Sequence, residues 1–320
     1  MSSLAPCLGS QSKRARTLIS VRDLSRDEVE TLLDRAAFFR SGDHTGLFPD
    51  RSVATMFFEN STRTRCSFER AAQRLGAQVL TFESSSSSTS KGESLVDTAQ
   101  TIDALGVNAI IVRHKSVGAP GLIDRSVRAP VINAGEGSRA HPSQALLDAL
   151  TIRDRLGGIE GLRIAIVGDV LHSRVARSNV ALLMALGARV VLVGPRSLVP
   201  SRLAEALGVP CAHDLQEGLG WDGGVDVVYV LRIQLERMSS GFVTTRGAYA
   251  RGFGVTPAAL ASAAASRVRL VMHPGPMNRG VEIDPRVLLD DRCAVGDQVA
   301  NGAPVRMALL ERAFTGGSGP

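Results

Sequence analysis

The chain has 320 residues, of which 44% are hydrophobic, so it is long enough to bury the cores of about two domains. Its 37 basic residues exceed its 31 acidic residues, but they are scattered and do not alternate with aromatic residues. This pattern does not favour a nucleic-acid-binding surface, and leaves either a solvated basic surface or arginines that converge on small anions. No apolar run reaches the roughly 18 residues that cross a membrane, and the first sixteen residues are predicted to be a polar leader, not a signal peptide.

The cysteines are widely separated and form no CxxC pair; they are Cys7, Cys66, Cys211 and Cys293. Disulfide frameworks and zinc ribbons need characteristic cysteine spacings, so neither is predicted. We therefore expect a protein of a reducing cytoplasm.

The first half of the chain alternates predicted helices and strands. A helix is predicted after Ser25, because Ser25 and Glu28 form a capping-box pattern before apolar residues at helical spacing. Short apolar runs predict three buried strands, at residues 53–58, 78–82 and 109–112. Strands that alternate with helices favour a parallel sheet with crossover helices.

A second series of the same kind follows. One helix is predicted over residues 141–155, with Pro142 at its first position, where proline is tolerated. Four further strands are predicted, at residues 162–167, 188–193, 225–231 and 270–272. Two further helices are predicted, at residues 175–186 and 299–314. The sequence thus predicts an α/β protein with two domains, each a parallel β-sheet flanked by helices, joined near residues 142–155.

The strongest local signal is the pentapeptide after the first strand, Ser61-Thr62-Arg63-Thr64-Arg65. It places hydroxyl groups and the free N–H groups of a helix N-terminus beside arginines, which favours an anion. We interpret it as a phosphate cradle. The alternative is an ordinary helix cap with surface arginines.

His141 and Gln144 lie at the start of the helix that Pro142 opens. Being three residues apart, they point from one face of its first turn. The imidazole can donate to a carbonyl oxygen, and the amide can accept from an NH2 group. The alternative is a capping histidine that the backbone satisfies.

Three arginines follow predicted strands or the turns after them, namely Arg113, Arg174 and Arg232. In open parallel sheets ligands bind beyond the carboxyl ends of the strands, where an arginine can pair with a carboxylate. The alternative for each is a solvated loop arginine, but together with a phosphate cradle they indicate a site for anionic substrates. The strand at 270–272 is followed by the loop His273-Pro274-Gly275-Pro276, whose glycine lets a ligand approach the backbone.

These segments together resemble the aspartate/ornithine carbamoyltransferase family over nearly the whole chain. Seven segments carry the similarity, in the family's order and spacing: STRTR at 61–65, KGES at 91–94, RH at 113–114, HPSQALLD at 141–148, GD…SR at 168–174, RIQLER at 232–237 and HPGP at 273–276. RxQxER and HPxP mark the branch that uses aspartate, whereas the ornithine branch carries HCLP and an SMG loop.

The resemblance implies a carbamoyl-phosphate-binding domain at residues 1–142 plus 294–320, with the C-terminal helix packing back on it, and an aspartate-binding domain at residues 143–293. It implies transfer of the carbamoyl group of carbamoyl phosphate to the amino group of L-aspartate, with no cofactor and no metal. The implied catalytic residues are Arg63, Thr64, Arg113 and His141. The implied carbamoyl phosphate ligands are Ser61, Thr62, Arg63, Thr64, Ser87, Lys91, Arg113, His141, Gln144, Gly275 and Pro276. The implied aspartate ligands are Lys91, Arg113, Arg174, Arg232, Gln234 and Gly275.

The resemblance also implies a cytoplasmic homotrimer in which the loop with Ser87 and Lys91 completes the site of the adjacent subunit. Ser87 is assigned by counting back from Lys91 through the serine run at residues 84–88. A higher assembly with dihydroorotase or a regulatory chain stays open, whereas nucleic acid and membrane are not expected partners. The sequence departs from the better-known aspartate enzymes at Gly275, where they have leucine, and at Met277, where they have arginine; Arg279 is a candidate substitute.

Three other functions are alternatives. Ornithine carbamoylation requires a pocket for a cation, which Arg232 disfavours. A nicotinamide-dependent dehydrogenase is suggested by the strand before Gly168, but the loop GDVLHSRVA keeps only the first glycine of a GxGxxG fingerprint. A non-catalytic binding protein on this fold would not need every catalytic residue type that the family carries.

Overall fold

The computed structural model describes residues 9–42, 44–83, 94–234 and 245–316. The chain divides into two compact units, Met1–Ser143 with Gly302–Pro320, and Gln144–Asn301. Each unit contains one parallel sheet flanked by helices, which confirms the predicted fold class. None of the helices in the described ranges is long and apolar enough to cross a membrane.

The described strands are β1 (Ser52–Phe57), β2 (Gln78–Glu83), β3 (Ala109–His114), β4 (Val131–Glu136), β5 (Arg163–Val167), β6 (Arg189–Val193), β7 (Cys211–Ala212), β8 (Val227–Val230) and β9 (Leu270–Met272). The described helices are α1 (Gly9–Arg16), α2 (Arg26–Ser41), α3 (Thr62–Arg74), α4 (Leu95–Ala104), α5 (Ala119–Ser126), α6 (Pro142–Leu156), α7 (Arg174–Ala185), α8 (Ser201–Leu207), α9 (Leu215–Leu219), α10 (Arg246–Phe253), α11 (Pro257–Leu260), α12 (Val295–Ala300) and α13 (Gly302–Thr315).

The sheet of the first unit has the order β2-β1-β3-β4, and its neighbouring strands are parallel. β1, β2 and β3 confirm three predicted strands. β4 was not predicted, because Asn133 and Glu136 interrupt its apolar pattern. Both side chains are nonetheless buried and hydrogen-bonded: Asn133 donates to the carbonyl of Ile19 (2.8 Å), and Glu136 accepts from the N–H of Gly118 (2.6 Å).

The N-terminal segment corrects one expectation. Residues 9–16 were expected to be part of a polar leader, whereas they form α1. Lys13 on this helix donates to the carbonyl of Val127 (2.8 Å) and pairs with the carboxylate of Asp124 (2.9 Å). Local sequence could not reveal this anchor, since its partners lie more than a hundred residues away.

The C-terminal helix α13 packs on α2 and α3, as predicted for the first unit. Arg35 of α2 makes a two-armed ion pair with Glu311, with nitrogen–oxygen distances of 2.7 and 2.8 Å. Arg306 donates to the hydroxyl of Ser67 on α3 (3.1 Å). The prediction of one helix over residues 299–314 is wrong at its start. Residues 299 and 300 belong to α12, and the chain breaks at Asn301 before α13 begins. The amide of Asn301 donates to the hydroxyl of Thr151 (3.0 Å), which fixes that break.

The sheet of the second unit has the order β7-β6-β5-β8-β9 and is parallel throughout. All of its strands except the short β7 were predicted, with ends that differ by no more than a few residues. Buried valines from β5, β6 and β8 form the centre of the core, to which Val167, Val193, Val228 and Val230 belong. Apart from the arginines that open β5 and β6, these strands are apolar, which is typical of a sheet covered on both faces. The carboxyl ends of β5, β8 and β9 lead into the predicted site segments.

Candidate active site

The segment predicted to be a phosphate cradle lies between β1 and α3 of the first unit. β1 pairs with both β2 and β3, so its carboxyl end lies in the middle of the sheet. Ser61 is the N-terminal cap of α3, and its side chain makes no capping hydrogen bond within the described residues. The first helical hydrogen bond runs from the N–H of Arg65 to the carbonyl of Ser61 (3.1 Å). The N–H groups of Thr62, Arg63 and Thr64 precede this first helical hydrogen bond, at the partially positive end of the helix.

Arg113 and His141 lie beside each other in the same unit. Arg113, near the end of β3, is 9% exposed, and His141 is 5% exposed. Nη1 of Arg113 lies 3.5 Å from Nε2 of His141 and donates to the carbonyl of Ala134 at 3.3 Å. The backbone of Arg113 also accepts from the N–H of Phe58 (2.9 Å), which ties this strand end to the cradle. Thr64, in the first turn of α3, is 6% exposed.

Glu59 is a contact of the site that the sequence reading missed. Its Oε2 lies 3.2 Å from Nε of Arg113, so a carboxylate neutralises the arginine. An anionic ligand that binds Arg113 must compete with this carboxylate, which makes Glu59 part of the site's charge balance. The only signal in the sequence was an acidic residue between a buried strand and the STRTR segment.

His114, the second residue of the RH segment, has a structural role. Its Nδ1 accepts from the N–H of Ser116 (2.9 Å), and its ring packs against Phe58. Burial lowers the pKa of His114 below its ordinary value, so the ring is neutral at physiological pH.

The turn after β5 organises the second unit's strand ends. Gly168 has φ = 130°, and a Cβ at this position would lie 2.9 Å from the carbonyl oxygen of Leu231. Only glycine therefore fits there. Asp169 is fully buried. Its carboxylate accepts from the backbone N–H of His172 (3.1 Å), from the ring Nδ1 of His172 (2.8 Å) and from the backbone N–H of Gln234 (3.2 Å). The carboxylate thus joins the segment after β5 to the segment after β8.

The segments after β5 and β8, which Asp169 joins, carry three predicted site residues: Arg174, Arg232 and Gln234. Arg174 is the first residue of α7, and Arg232 follows β8 by two residues; both are half-buried. Gln234 donates from Nε2 to the carbonyl of His172 (2.9 Å). Because β5 and β8 are neighbours, the structure places the three predicted side chains at adjacent strand ends. Two cations and an amide there suit a dicarboxylate.

The loop after β9 is held from several sides. The Gly275–Pro276 peptide bond is cis, and the N–H of Gly275 donates to Nδ1 of His273 (2.8 Å). The N–H of His273 donates to Oε1 of Gln298 (2.9 Å), and Nε2 of His273 lies 3.4 Å from Oε1 of the buried Glu282. Despite glycine at position 275, the loop has fixed anchors.

The two positions next to this loop differ in their surroundings. Met277 packs against the hydrophobic core of the second unit and supplies no charge. Arg279, the candidate substitute for the missing arginine, is exposed.

Gln144 is oriented by a buried carboxylate that the sequence reading did not single out. Its Nε2 donates to Oδ1 of Asp148 at 3.0 Å. Asp148 is fully buried, and burial raises the pKa of its carboxyl to about 6, although hydrogen bonds oppose the rise. Its role in the HPSQALLD segment had no signal beyond its place in the motif.

Two predicted site residues, Ser87 and Lys91, lie outside the described residues. The others divide between the units. Ser61, Thr62, Arg63, Thr64, Arg113 and His141 belong to the first, and Gln144, Arg174, Arg232, Gln234, Gly275 and Pro276 belong to the second.

The family follows from comparison with known proteins. The family described as "Aspartate/ornithine carbamoyltransferase, carbamoyl-P binding domain" matches residues 16–154, and "Aspartate/ornithine carbamoyltransferase, Asp/Orn binding domain" matches residues 160–313. The chain therefore belongs to the aspartate/ornithine carbamoyltransferase family, as its motifs predicted.

The similar proteins fall in the aspartate branch. The aspartate carbamoyltransferase catalytic subunit of Rhodospirillum rubrum is 51% identical over 302 residues, which cover 92% of this chain and 93% of the relative. The same subunit of Myxococcus xanthus is 50% identical over 298 residues, which cover 92% and 98%. Among solved structures, aspartate transcarbamoylase of Trypanosoma cruzi in complex with carbamoyl phosphate and aspartate is similar with a TM-score of 0.83 and 31% identity, covering 95% of this chain and 98% of that one.

Proposed function

We propose that this chain transfers the carbamoyl group of carbamoyl phosphate to the amino group of L-aspartate, giving N-carbamoyl-L-aspartate and phosphate. The observation that carries the proposal is the pairing of Arg113 with His141, 3.5 Å apart, in the same unit as the N-terminus of α3 at Ser61. The groups proposed to bind the phosphate and Arg113, proposed to polarise the carbonyl, come from the ends of the neighbouring strands β1 and β3. The names of relatives about half identical over nearly the full chain support aspartate as the acceptor.

In the first unit, the phosphate of carbamoyl phosphate binds the N-terminus of α3. Ser61, Thr62, Arg63 and Thr64 supply hydroxyls, N–H groups and a guanidinium, all of which favour an anion. Thr64, Arg113 and His141 donate to the carbonyl oxygen. The hydrogen bonds from these donors become stronger as negative charge develops on that oxygen. The burial of Arg113 and His141 strengthens these bonds further, because water is excluded.

In the second unit, Arg174, Arg232 and Gln234 bind the two carboxylates of aspartate. Gln144 and the backbone carbonyls of the 273–276 loop accept hydrogen bonds from the NH2 of the carbamoyl group. The anchors of Gln144 and of that loop support this assignment, since both are held by buried partners.

The reaction needs no enzyme nucleophile. The amine lone pair of aspartate attacks the carbonyl carbon and forms a tetrahedral intermediate. The bond from that carbon to the phosphate oxygen then breaks, and its electron pair leaves with phosphate. The departing phosphate, the nearest strong base, takes the amine proton. Catalysis thus comes from positioning and from stabilisation of the developing oxyanion, and the steps as proposed use neither metal nor cofactor.

The proposed assembly is a homotrimer with shared active sites, in which Ser87 and Lys91 serve the neighbouring subunit. A site that holds a phosphate and two carboxylates gains from a further cation, and a cyclic trimer gives every chain the same donor. Lys91→Gln and His141→Ala chains should each be nearly inactive. After dissociation, mixing and reassembly, about a quarter of the sites should be whole. Hybrid trimers as inactive as their parents would show that the loop serves its own chain.

The proposed setting is the cytoplasm, where N-carbamoyl-L-aspartate formation belongs to de novo pyrimidine biosynthesis. The net charge of +6 then favours the binding of anionic substrates. Neither nucleic acid nor a membrane is a proposed partner. Dihydroorotase consumes this product and is a candidate for a higher assembly, as is a separate regulatory chain. Gel filtration of the purified chain alone and with cell extract tests for either.

A steady-state assay tests the activity. Phosphate release from carbamoyl phosphate should require L-aspartate and should saturate with its concentration. Arg232→Met should raise the KM for aspartate while leaving the dissociation constant of carbamoyl phosphate nearly unchanged, since the variant removes one carboxylate partner only. Activity should persist with a chelator. Phosphate release that does not depend on the aspartate concentration would contradict the proposal. So would activity that is lost with a chelator and restored by zinc.

A further inference from the structure

Asp148 is the centre of a buried hydrogen-bond cluster in the second unit. Its Oδ1 accepts from Nε2 of Gln144 (3.0 Å) and from Nε2 of Gln298 (2.7 Å). Its Oδ2 accepts from the hydroxyl of Tyr229 (2.6 Å) and from Nδ2 of Asn179 (2.9 Å). The four donors come from α6, α12, β8 and α7, so one carboxylate joins four elements.

The chemistry of Asp148 dictates how two of these amides are turned. An ionised carboxylate only accepts hydrogen bonds, so Gln144 and Gln298 must each present the NH2 of the amide to it. The carbonyl oxygen of each amide is then directed away from Asp148. For Gln298 this oxygen accepts from the N–H of His273 (2.9 Å), the first residue after β9.

The amides of Gln144 and Gln298 determine the position of the two proposed acceptors for the carbamoyl NH2. Gln144 offers its own Oε1, and Gln298 holds the start of the loop whose carbonyls are the second acceptor. Turning either amide by 180° would place a donor where an acceptor is needed. Asp148 therefore acts on both acceptors from one buried position.

We propose that Asp148 is a positioning residue for substrate specificity, which fixes Gln144 and the 273–276 loop as acceptors so that the site distinguishes a carbamoyl group from other acyl groups. The inference rests on the proposed function and adds the residue that sets its selectivity for an NH2-bearing acyl phosphate. Asp148 touches no substrate; it acts through Gln144 and Gln298.

Acetyl phosphate is the probe that separates this role from a purely structural one. It carries the same phosphate and carbonyl as carbamoyl phosphate, but a methyl group stands in place of the NH2. A loss of general packing weakens both ligands, whereas a loss of acceptor orientation weakens carbamoyl phosphate alone. The measured quantity is the ratio of the two dissociation constants, determined by calorimetry on the full chain in the absence of aspartate.

Two variants interrupt the positioning at different points. Asp148→Ala removes the carboxylate to which both amides donate. Each correctly oriented acceptor for the carbamoyl NH2 contributes a factor of about five in affinity. The preference for carbamoyl phosphate over acetyl phosphate should therefore fall by about 25-fold. Gln298→Met leaves Gln144 bonded to Asp148 but frees the N–H of His273, so the preference should fall by about fivefold. Gln298→Met alone decides the question if Asp148→Ala does not fold.

Thr151→Val is the matched control. Thr151 is fully buried one turn along α6 and accepts from Asn301 of the α12–α13 junction at 3.0 Å, but within the described residues its hydroxyl makes no hydrogen bond to Gln144, to Gln298 or to the 273–276 loop. The control should lose stability while keeping the ratio within about twofold of wild type. Equal losses for acetyl and carbamoyl phosphate in both test variants would overturn the inference. A wild-type chain without preference for carbamoyl phosphate, or without N-carbamoyl-L-aspartate formation, would instead overturn the proposed function, and the inference with it.

Discussion

Asp148→Asn should change how the stability of the second unit depends on pH. Burial raises the pKa of Asp148 to about 6 from the ordinary 3.8, against the opposing hydrogen bonds of Tyr229, Asn179, Gln298 and Gln144. The folded state therefore favours the protonated carboxyl more than the unfolded chain does. Its contribution to stability is full below about pH 4 and is lost as the pH rises through about 6.

The magnitude follows from the same shift. At about 1.4 kcal/mol per pKa unit, the rise from 3.8 to about 6 corresponds to about 3 kcal/mol of unfolding free energy. Asparagine does not titrate. The unfolding free energy of wild type minus that of Asp148→Asn should therefore fall by about 3 kcal/mol between about pH 4 and pH 7, whatever its offset.

Urea unfolding followed by tryptophan fluorescence measures this difference. Trp221 is the single tryptophan of the chain and packs against the core of the second unit, so its emission reports on the unit that contains Asp148. Thr151→Val, buried on the same helix without a titratable group, should differ from wild type by an amount that stays constant over this range. A wild-type minus Asp148→Asn difference in unfolding free energy that is constant, or that rises with pH, would show that folding does not raise the pKa of Asp148.

Three other predictions concern separate features. His141→Ala should lower kcat by at least about tenfold with little change in phosphate affinity, because it removes an oxyanion donor; phosphate binding lost at unaltered kcat would show a different role. Gly168→Ala should destabilise the protein by about 1–3 kcal/mol in urea unfolding, since its Cβ would lie 2.9 Å from the carbonyl oxygen of Leu231; an unchanged midpoint would contradict the strain. Arg35→Met should destabilise the protein by about 3 kcal/mol, and so lower its Tm, because the buried carboxylate of Glu311 loses its ion-pair partner; restoration by Glu311→Gln in the same chain would support that cause, and an unchanged Tm would exclude it.

Much of the fold was predictable because its signals are local. The capping box at Ser25 and Glu28 is present, with the serine hydroxyl accepting from the N–H of Glu28 at 3.2 Å. Apolar runs located the strands that carry the site, and STRTR located the open end of α3. β4 escaped prediction because buried Asn133 and Glu136 look like surface residues until their partners are known.

The unpredicted parts of the site depend on contacts between distant residues. Gln298 meets Asp148 across 150 positions, and no periodicity links them. Glu59 lies only two residues before Ser61, but its pairing with Arg113 depends on the order of the strands in the sheet. The resemblance to a known family supplied the roles of the motifs, whereas the partners that hold those motifs in place became visible only in three dimensions.

A competition between two acceptors shows whether the chain carbamoylates aspartate or ornithine. The purified chain receives carbon-13-labelled carbamoyl phosphate with equal concentrations of L-aspartate and L-ornithine, and carbon-13 NMR follows the labelled ureido carbon. Under the proposed function, the label should enter N-carbamoyl-L-aspartate with negligible citrulline, because Arg232 and its neighbours receive a carboxylate where ornithine would bring a cation. Citrulline as the main product, or label that stays in carbamoyl phosphate while aspartate is present, would contradict it.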